Sequence, residues 1–217
     1  MLTLLEEVVL LAVDPNTGQL RGDQEYSVPY ALAGAVLFDL ALAHRVDTDV
    51  DAVTVINAAP TGMAVHDELL AELAAQPGPQ SVRGWVEQTF RLRRDLEDRA
   101  LALLVDRGVI RHETTKRRWV IDVHRFPLVD GRPQQQVQER LKEAVLGDTI
   151  PPVRDIMLVS LADACGLLSR VLTDEQRDAR AARIEALGSV ETIARNVSSA
   201  IAGLYTDMAR GLSAGGV

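Results

Sequence analysis

Arginine side chains crowd the segment from residue 91 to 126, and a guanidinium group is well suited to binding phosphate. Its planar fork donates two parallel hydrogen bonds, and its charge persists at any physiological pH. The segment holds nine Arg and one Lys against six acidic residues, a net charge of +4, whereas the whole chain carries −8. A basic patch on an acidic protein indicates an anionic partner that is met at one place. The candidate ligand-binding residues are Arg91, Arg93, Arg94 and Arg99.

The same arginines have a second interpretation as part of a solvated helix face. Asp95, Glu97 and Asp98 lie among them, at spacings that allow opposite charges to pair along a helix. In that case the cluster would have little charge left for a ligand. Spacing alone favours neither interpretation.

A helix followed by a β-hairpin must position these side chains. Leucines and alanines recur every three or four positions over residues 92–107, which predicts one stripe of a helix. Gly108 ends that helix, because a residue without Cβ takes the left-handed conformation at little cost. Residues 109–110 are then predicted to begin a strand, residues 112–116 to turn, and residues 119–123 to form the second strand.

The second strand of this hairpin is predicted to present an amphipathic surface. Trp119 and Ile121 lie on one strand face, with more apolar area than a two-stranded ribbon can cover, and Arg117 and Arg118 precede them. Aromatic and basic side chains together suit a membrane interface. The same surface could instead mediate self-association, and the two roles are compatible.

The chain lacks the spacings of common catalytic and cofactor motifs. It has no Gly-rich phosphate loop, no pair of cysteines and no His-x-x-x-His sequence. His112 and His124 could face each other across the hairpin and hold a metal, but two surface histidines without a carboxylate at a defined spacing are usually solvated. We therefore predict a protein that is not an enzyme, with no catalytic residue, no metal and no cofactor.

The composition is typical of a globular protein in a reducing compartment. With 217 residues, 47% of them hydrophobic, the chain can form a single domain, predicted over residues 1–212 with a flexible tail at 213–217. The lone Cys165 excludes an internal disulfide. No positively charged start is followed by an uninterrupted apolar run, because Glu6 and Glu7 interrupt the first one, which argues against a signal peptide or a membrane span. We therefore predict a cytoplasmic protein that can attach peripherally to the inner face of the membrane. The use of 21 Arg but only 2 Lys suggests a GC-rich bacterial genome.

Most of the other segments are predicted to be helical. Apolar periodicity, caps and breakers place helices at residues 2–13, 27–44, 67–75, 82–90, 133–146, 156–172, 174–187 and 189–212. Thr3 and Glu6 have the spacing of a capping box, and Thr173 is predicted to cap the helix that follows it. The helix over residues 31–42 is rich in small residues and is predicted to be central and fully enclosed. Alternating and β-branched residues predict a small β insertion over residues 46–56. The predicted fold class is mainly α, a single globular helical domain with a protruding β-hairpin and a second small β insertion.

Four segments, in this order, resemble the Golgi phosphoprotein 3 family, whose eukaryotic members have bacterial relatives. They are LTLLEEVVLLAV at 2–13, ALAGAVLFDLAL at 31–42, DLEDRALALLVDRGVI at 95–110 and QERLKEAVLGD at 138–148. The resemblance implies a mainly helical domain with a protruding hairpin. For eukaryotic members it implies a peripheral membrane adaptor that recognises phosphatidylinositol 4-phosphate and helps retain glycosyltransferases in the Golgi.

The resemblance also locates a headgroup pocket. In the family this pocket uses a Trp before the central helix, an Arg within that helix, and two Arg three residues apart in the helix before the hairpin. These positions fall on Gln24, Ala33, Arg94 and Glu97 of this chain. Since only Arg94 matches, the resemblance implies binding of anions without selectivity for the 4-phosphate.

Nucleic acid is the alternative partner. A helix, a Gly-ended turn and a basic hairpin also resemble the end of a winged-helix module. The acidic residues at 95, 97 and 98 and the negative charge of the whole chain argue against this partner. The leading prediction is a non-enzymatic peripheral membrane or adaptor protein that binds an anionic phospholipid headgroup or another phosphate, for a client protein that the sequence does not identify.

Overall fold

The structure is a computed structural model that describes residues 1–21, 26–49, 52–117 and 121–214. In these segments the α-helices are α1 (Leu4–Ala12), α2 (Ser27–Leu42), α3 (Ala64–Ala74), α4 (Val82–Arg91), α5 (Arg93–Asp106), α6 (Arg132–Leu146), α7 (Val153–Ala164), α8 (Asp174–Ala179), α9 (Ala181–Val190) and α10 (Thr192–Ala214). A short 3-10 helix spans Leu167–Arg170. The strands are β1 (Val46–Asp49), β2 (Ala52–Val55), β3 (Gln80–Ser81), β4 (Glu113–Arg117) and β5 (Ile121–Arg125). The prediction of a mainly α fold with two small β elements is confirmed.

Helix α2 lies at the centre because its sequence is apolar or small on every side. It packs against α1, α4, α5 and α7, and residues 30–38 are all buried. Gly34 lets α7 and α10 approach closely, since a Cβ built on it would lie 2.6 Å from Leu161 Cδ1 and 3.0 Å from Val197 Cγ1. The helix predicted to be enclosed over residues 31–42 is buried as far as Leu40, and Ala41 and Leu42 are half-buried.

The buried carboxylate of Asp39 ties the start of α1 to α2 and α3. Thr3 and Glu6 form the predicted capping box at this helix end. Asp39 accepts hydrogen bonds from the backbone N–H groups of Leu4 (2.9 Å) and Leu5 (3.1 Å), and it lies 3.1 Å from the buried His66 Nε2. A negative charge is favourable here, because unpaired N–H groups and the helix dipole meet at a helix N-terminus.

Two antiparallel sheets carry the strands. One sheet has the strand order β1-β2-β3, in which Val46 pairs with Val55 and Ala52 pairs with Ser81. Because Ser81 directly precedes α4, the predicted insertion at residues 46–56 also contacts the start of that helix. The hairpin β4-β5 pairs Thr114 with His124. Among the described helices, none combines the length and apolarity needed to cross a bilayer.

The hairpin begins later in the chain than predicted. Residues 109–110 do not start the strand, because their N–H groups turn back to the carbonyl of Leu104 once Gly108 (φ +68°) has closed α5. Residues 113–116, predicted to turn, are paired within β4 instead. The turn was predicted because these residues are polar. A hairpin strand can also contain polar residues, and threonine favours strands.

Helix boundaries in the second half of the chain also differ from prediction. The helix predicted over residues 156–172 ends at Ala164, because Gly166 adopts φ +72° and a 3-10 helix follows. The helix predicted over residues 174–187 is divided at Arg180 into α8 and α9. Helix α9 continues through Gly188 to Val190, and α10 begins at Thr192 rather than at Ser189. A single helical glycine costs only about 1 kcal/mol, which tertiary packing can offset.

Candidate anion-binding site

The junction between α4 and α5 exposes a short basic sequence. Ser81 caps α4 by accepting a hydrogen bond from the Gly84 N–H (2.9 Å), and α5 begins at Arg93 after a break at Leu92. The side chain of Leu92 is 39% exposed although it is large and apolar. Residues 91–94 are called the junction patch below.

Arg93 is held over an aromatic cluster. Its guanidinium carbon lies 4.7 Å from the centroid of the Phe90 ring, and its Nη1 donates to the Phe90 carbonyl (3.4 Å). Phe90 in turn stacks on Tyr30 (4.6 Å) and meets the edge of Tyr26 (5.4 Å). A cation over an aromatic face is stabilised without losing its charge.

Arg91 and Arg94 differ from Arg99 in their electrostatic surroundings. Both are exposed, and within the described segments neither pairs with a carboxylate. Arg99 instead lies 2.7 Å from Glu68 on α3 and 3.4 Å from Asp95. Pairing along the helix face, the second interpretation of this sequence, therefore applies to Arg99 but not to the junction patch.

One face of α5 is acidic. Glu97, Asp98 and Asp106 line an open pocket of about 640 Å³ that also contacts residues 19–20 and the base of the hairpin. Burial raises the pKa of Glu97, and the neighbouring Asp98 charge adds to this effect. In the part of the chain that the structure describes, none of these three carboxylates has an ion-pair partner. Such a surface repels phosphate, whether from a headgroup or from nucleic acid.

The positions that the resemblance assigns to a headgroup pocket do not assemble a cationic site. Ala33 is fully buried in α2, where its carbonyl accepts a hydrogen bond from Trp85 Nε1 (3.1 Å). Glu97 lines the acidic pocket, and Arg94 is exposed and does not line it. Gln24 lies outside the described residues. Of the described positions, Arg94 alone offers a donor to an anion.

The candidate residues of the hairpin are described only in part. Arg118 and Trp119 lie outside the described residues. Arg117 and Ile121 pair with each other at the described ends of β4 and β5, but their side chains lie outside the description. Membrane contact or self-association through this surface therefore stays a prediction.

Sequence reasoning missed the groups that support or neutralise the basic segment. The aromatic support under Arg93 comes from Tyr30 on α2, and Arg107 pairs with the buried Glu6 at 2.5 Å. Arg111 pairs with Glu113 at 2.7 Å. The capping box marked Glu6 only as a helix-start residue, and no local signal indicates partners as distant along the chain as Glu6 is from Arg107 or Tyr30 is from Phe90.

Comparison with known proteins agrees with this architecture. A family model described as Golgi phosphoprotein 3 matches residues 4–204. Among curated proteins, the chain is similar to vacuolar protein sorting-associated protein 74 of Eremothecium gossypii. The two are 26% identical over 224 residues, and the match covers 86% of this chain and 67% of that protein.

Proposed function

The chain belongs to the Golgi phosphoprotein 3 family, and from that premise we propose that it is a non-enzymatic peripheral adaptor that docks on anionic phospholipid surfaces through the junction patch. The observation that carries this proposal is the exposure of Arg91 and Arg94 without a carboxylate partner in the described segments. Because no carboxylate of the described segments neutralises them, these two arginines keep their attraction for an anionic surface.

The junction patch also combines charge with apolar area. The exposed side chain of Leu92 lies in sequence between Arg91 and Arg93. At a bilayer surface the arginines would interact with headgroups while the leucine enters the interface between them. Each basic residue near such a surface contributes about 1 kcal/mol, which weakens with salt.

The expected attachment is general rather than selective for one headgroup. A single arginine at a headgroup position supplies one forked contact, whereas distinguishing an inositol phosphate requires several converging donors. Glu97 opposes phosphate at the neighbouring position, and Ala33 offers only a buried methyl group. Charge density of the membrane should therefore govern binding.

Reversing both free charges should release the protein from anionic vesicles. The double variant Arg91→Glu/Arg94→Glu is expected to bind vesicles of phosphatidylglycerol and phosphatidylcholine at least about thirtyfold more weakly, since two contributions of about 1 kcal/mol are lost. Co-sedimentation at low and physiological salt measures the effect. Arg132→Glu/Lys142→Glu is the matched control, because it makes the same change in net charge at two exposed positions of α6.

Three outcomes would contradict the proposal. The first is that the parent protein does not sediment with any anionic vesicle, and the second is that the control variant loses as much affinity as the junction variant. The third is that the parent binds duplex DNA more tightly than vesicles at the same salt concentration. That last result would favour nucleic acid as the partner.

Selectivity among headgroups has its own test. Vesicles containing phosphatidylinositol 4-phosphate and vesicles containing phosphatidylglycerol, matched in total charge, should bind the parent protein within about tenfold of each other, roughly 1.4 kcal/mol. The reason is that Arg94 is the one pocket position that retains a cation. A larger preference for the phosphoinositide would mean that other residues recognise the inositol ring.

A further inference from the structure

Two histidines at the base of the hairpin bring their ring nitrogens together. His112 Nε2 lies 2.9 Å from His124 Nδ1, within hydrogen-bond distance. The hydroxyl oxygen of Thr114 lies 3.5 Å from the first nitrogen and 3.4 Å from the second. Both histidines are exposed, so neither ring needs a buried partner to satisfy its polarity. The sequence indicated that the two rings could face each other but are usually solvated, and the structure places them in contact while both stay exposed.

The surrounding structure holds the pair in place. His124 lies in β5 directly opposite Thr114, and the ring of His112 stacks on Phe126 with 5.0 Å between centroids and 10° between planes. The backbone N–H of Phe126 donates to the carbonyl of Gly18 at 2.5 Å. Gly18 adopts φ +64°, and a Cβ there would lie 2.6 Å from the Pro127 nitrogen, so this contact is tightly packed. The two rings are thus positioned by the fold.

We propose that His112 and His124 form a binding site for a divalent transition-metal ion, bound through Nε2 of the first ring and Nδ1 of the second. Zinc–nitrogen bonds are about 2.0–2.1 Å long, and tetrahedral coordination places two such nitrogens about 3.3 Å apart. The observed pair would therefore need to open by about 0.4 Å, and each ring would need to turn so that its lone pair points at the ion instead of at the other ring. In a neutral pair the proton shared between the rings moves to the other nitrogen of its own ring, so both ligating nitrogens are free and no proton is released.

The donor chemistry selects the class of metal. Imidazole nitrogen favours Zn²⁺, Ni²⁺ and above all Cu²⁺, whereas Mg²⁺ and Ca²⁺ prefer oxygen ligands. Within the described residues, no group of three or more His, Cys, Asp or Glu side chains is placed to hold a metal. Water therefore completes the coordination, and the Thr114 hydroxyl lies close enough to both nitrogens to hydrogen-bond such a water.

The adjoining pocket favours a cation at this position. Both histidines line the same pocket of about 640 Å³ as Glu97, Asp98 and Asp106. Carboxylates around a concave surface raise the local concentration of cations. With two protein ligands and several waters, the site is open and exchangeable, unlike a four-ligand structural zinc site.

Metal titration of the tag-free protein tests the site directly. Calorimetry with Zn²⁺ and with Ni²⁺ at pH 7.5 should give one ion per chain, and His112→Ala and His124→Ala should each weaken binding at least about tenfold, roughly 1.4 kcal/mol. His44→Asn is the matched control, because His44 is also exposed and its φ of 54° suits asparagine. Its affinity should equal that of the parent.

Nitrogen-15 spectra of the imidazole rings provide a second readout that depends on the geometry. Zn²⁺ should shift Nε2 of His112 and Nδ1 of His124, the two nitrogens that face each other. The proposal is overturned if the parent shows no saturable binding tighter than about 1 mM, if either alanine variant binds like the parent, if Mg²⁺ competes equally, or if the opposite ring nitrogens shift. Thermal unfolding of both variants without metal checks that they fold.

Discussion

Replacing Asp39 with alanine should lower the free energy of unfolding by about 3–5 kcal/mol, a loss typical of removing the shared partner of a buried hydrogen-bonded cluster. The variant would leave the N–H groups of Leu4 and Leu5 and the imidazole of His66 without their shared acceptor. All of these groups are buried, so water cannot replace the carboxylate. Urea denaturation followed by circular dichroism measures the change.

Asp207→Ala provides the control for this measurement. Asp207 lies 2.6 Å from Arg83, closer than Asp39 lies to His66, but the Asp207 and Arg83 side chains are 49% and 44% exposed. Exposed pairs contribute at most about 1 kcal/mol, so the free energy of unfolding of this variant should be close to that of the parent. Equal losses in the two variants would mean that Asp39 does not organise the start of α1.

The sequence correctly predicted those helix ends that are fixed by a cap or a glycine next to them. The side chains of Thr3 and Thr173 each accept a hydrogen bond from the backbone N–H three positions later in the chain, as their spacing predicted. Gly108 likewise ended α5 through its left-handed conformation. These features depend on a few neighbouring residues, which the sequence displays directly.

Boundaries set by long-range pairing could not be predicted in the same way. The polar residues 113–116 form a strand because β5 offers partners for them, and the sequence of β4 alone favoured a turn. Gly188 is helical because α9 packs against α7 and α10, which overrides its low helix propensity. Tertiary contacts decided both outcomes.

In the candidate site, too, the sequence predicted the local features but not those that depend on long-range contacts. Arginine content identified the junction patch, since charge is a property of composition and spacing. Which arginines stay free could not be read from spacing, because Glu68 lies 31 residues from Arg99 and Glu6 lies 101 residues from Arg107. The metal proposal likewise depends on a distance of 2.9 Å between side chains twelve positions apart.

Replacing Gly34 with leucine should destabilise the fold by about 1–3 kcal/mol or more, since it adds a side chain where three helices meet. Even a Cβ at this position would lie 2.6 Å from Leu161 Cδ1. Leu161 is fully buried and cannot swing into solvent. For a chain of this length the loss corresponds to a melting temperature lower by a few degrees to about ten degrees.

The same substitution at Gly78, where an added Cβ would meet nothing within 4 Å, should leave the melting temperature nearly unchanged. Combining Gly34→Leu with Leu161→Ala then identifies the clash as the cause. If leucine at position 34 occupies the space that Leu161 vacates, the double variant should lose less stability than the two single losses added together, by about 0.5–3 kcal/mol. Strict additivity, or a Gly34→Leu variant that melts with the parent, would show that α2 is not packed against α7 as described.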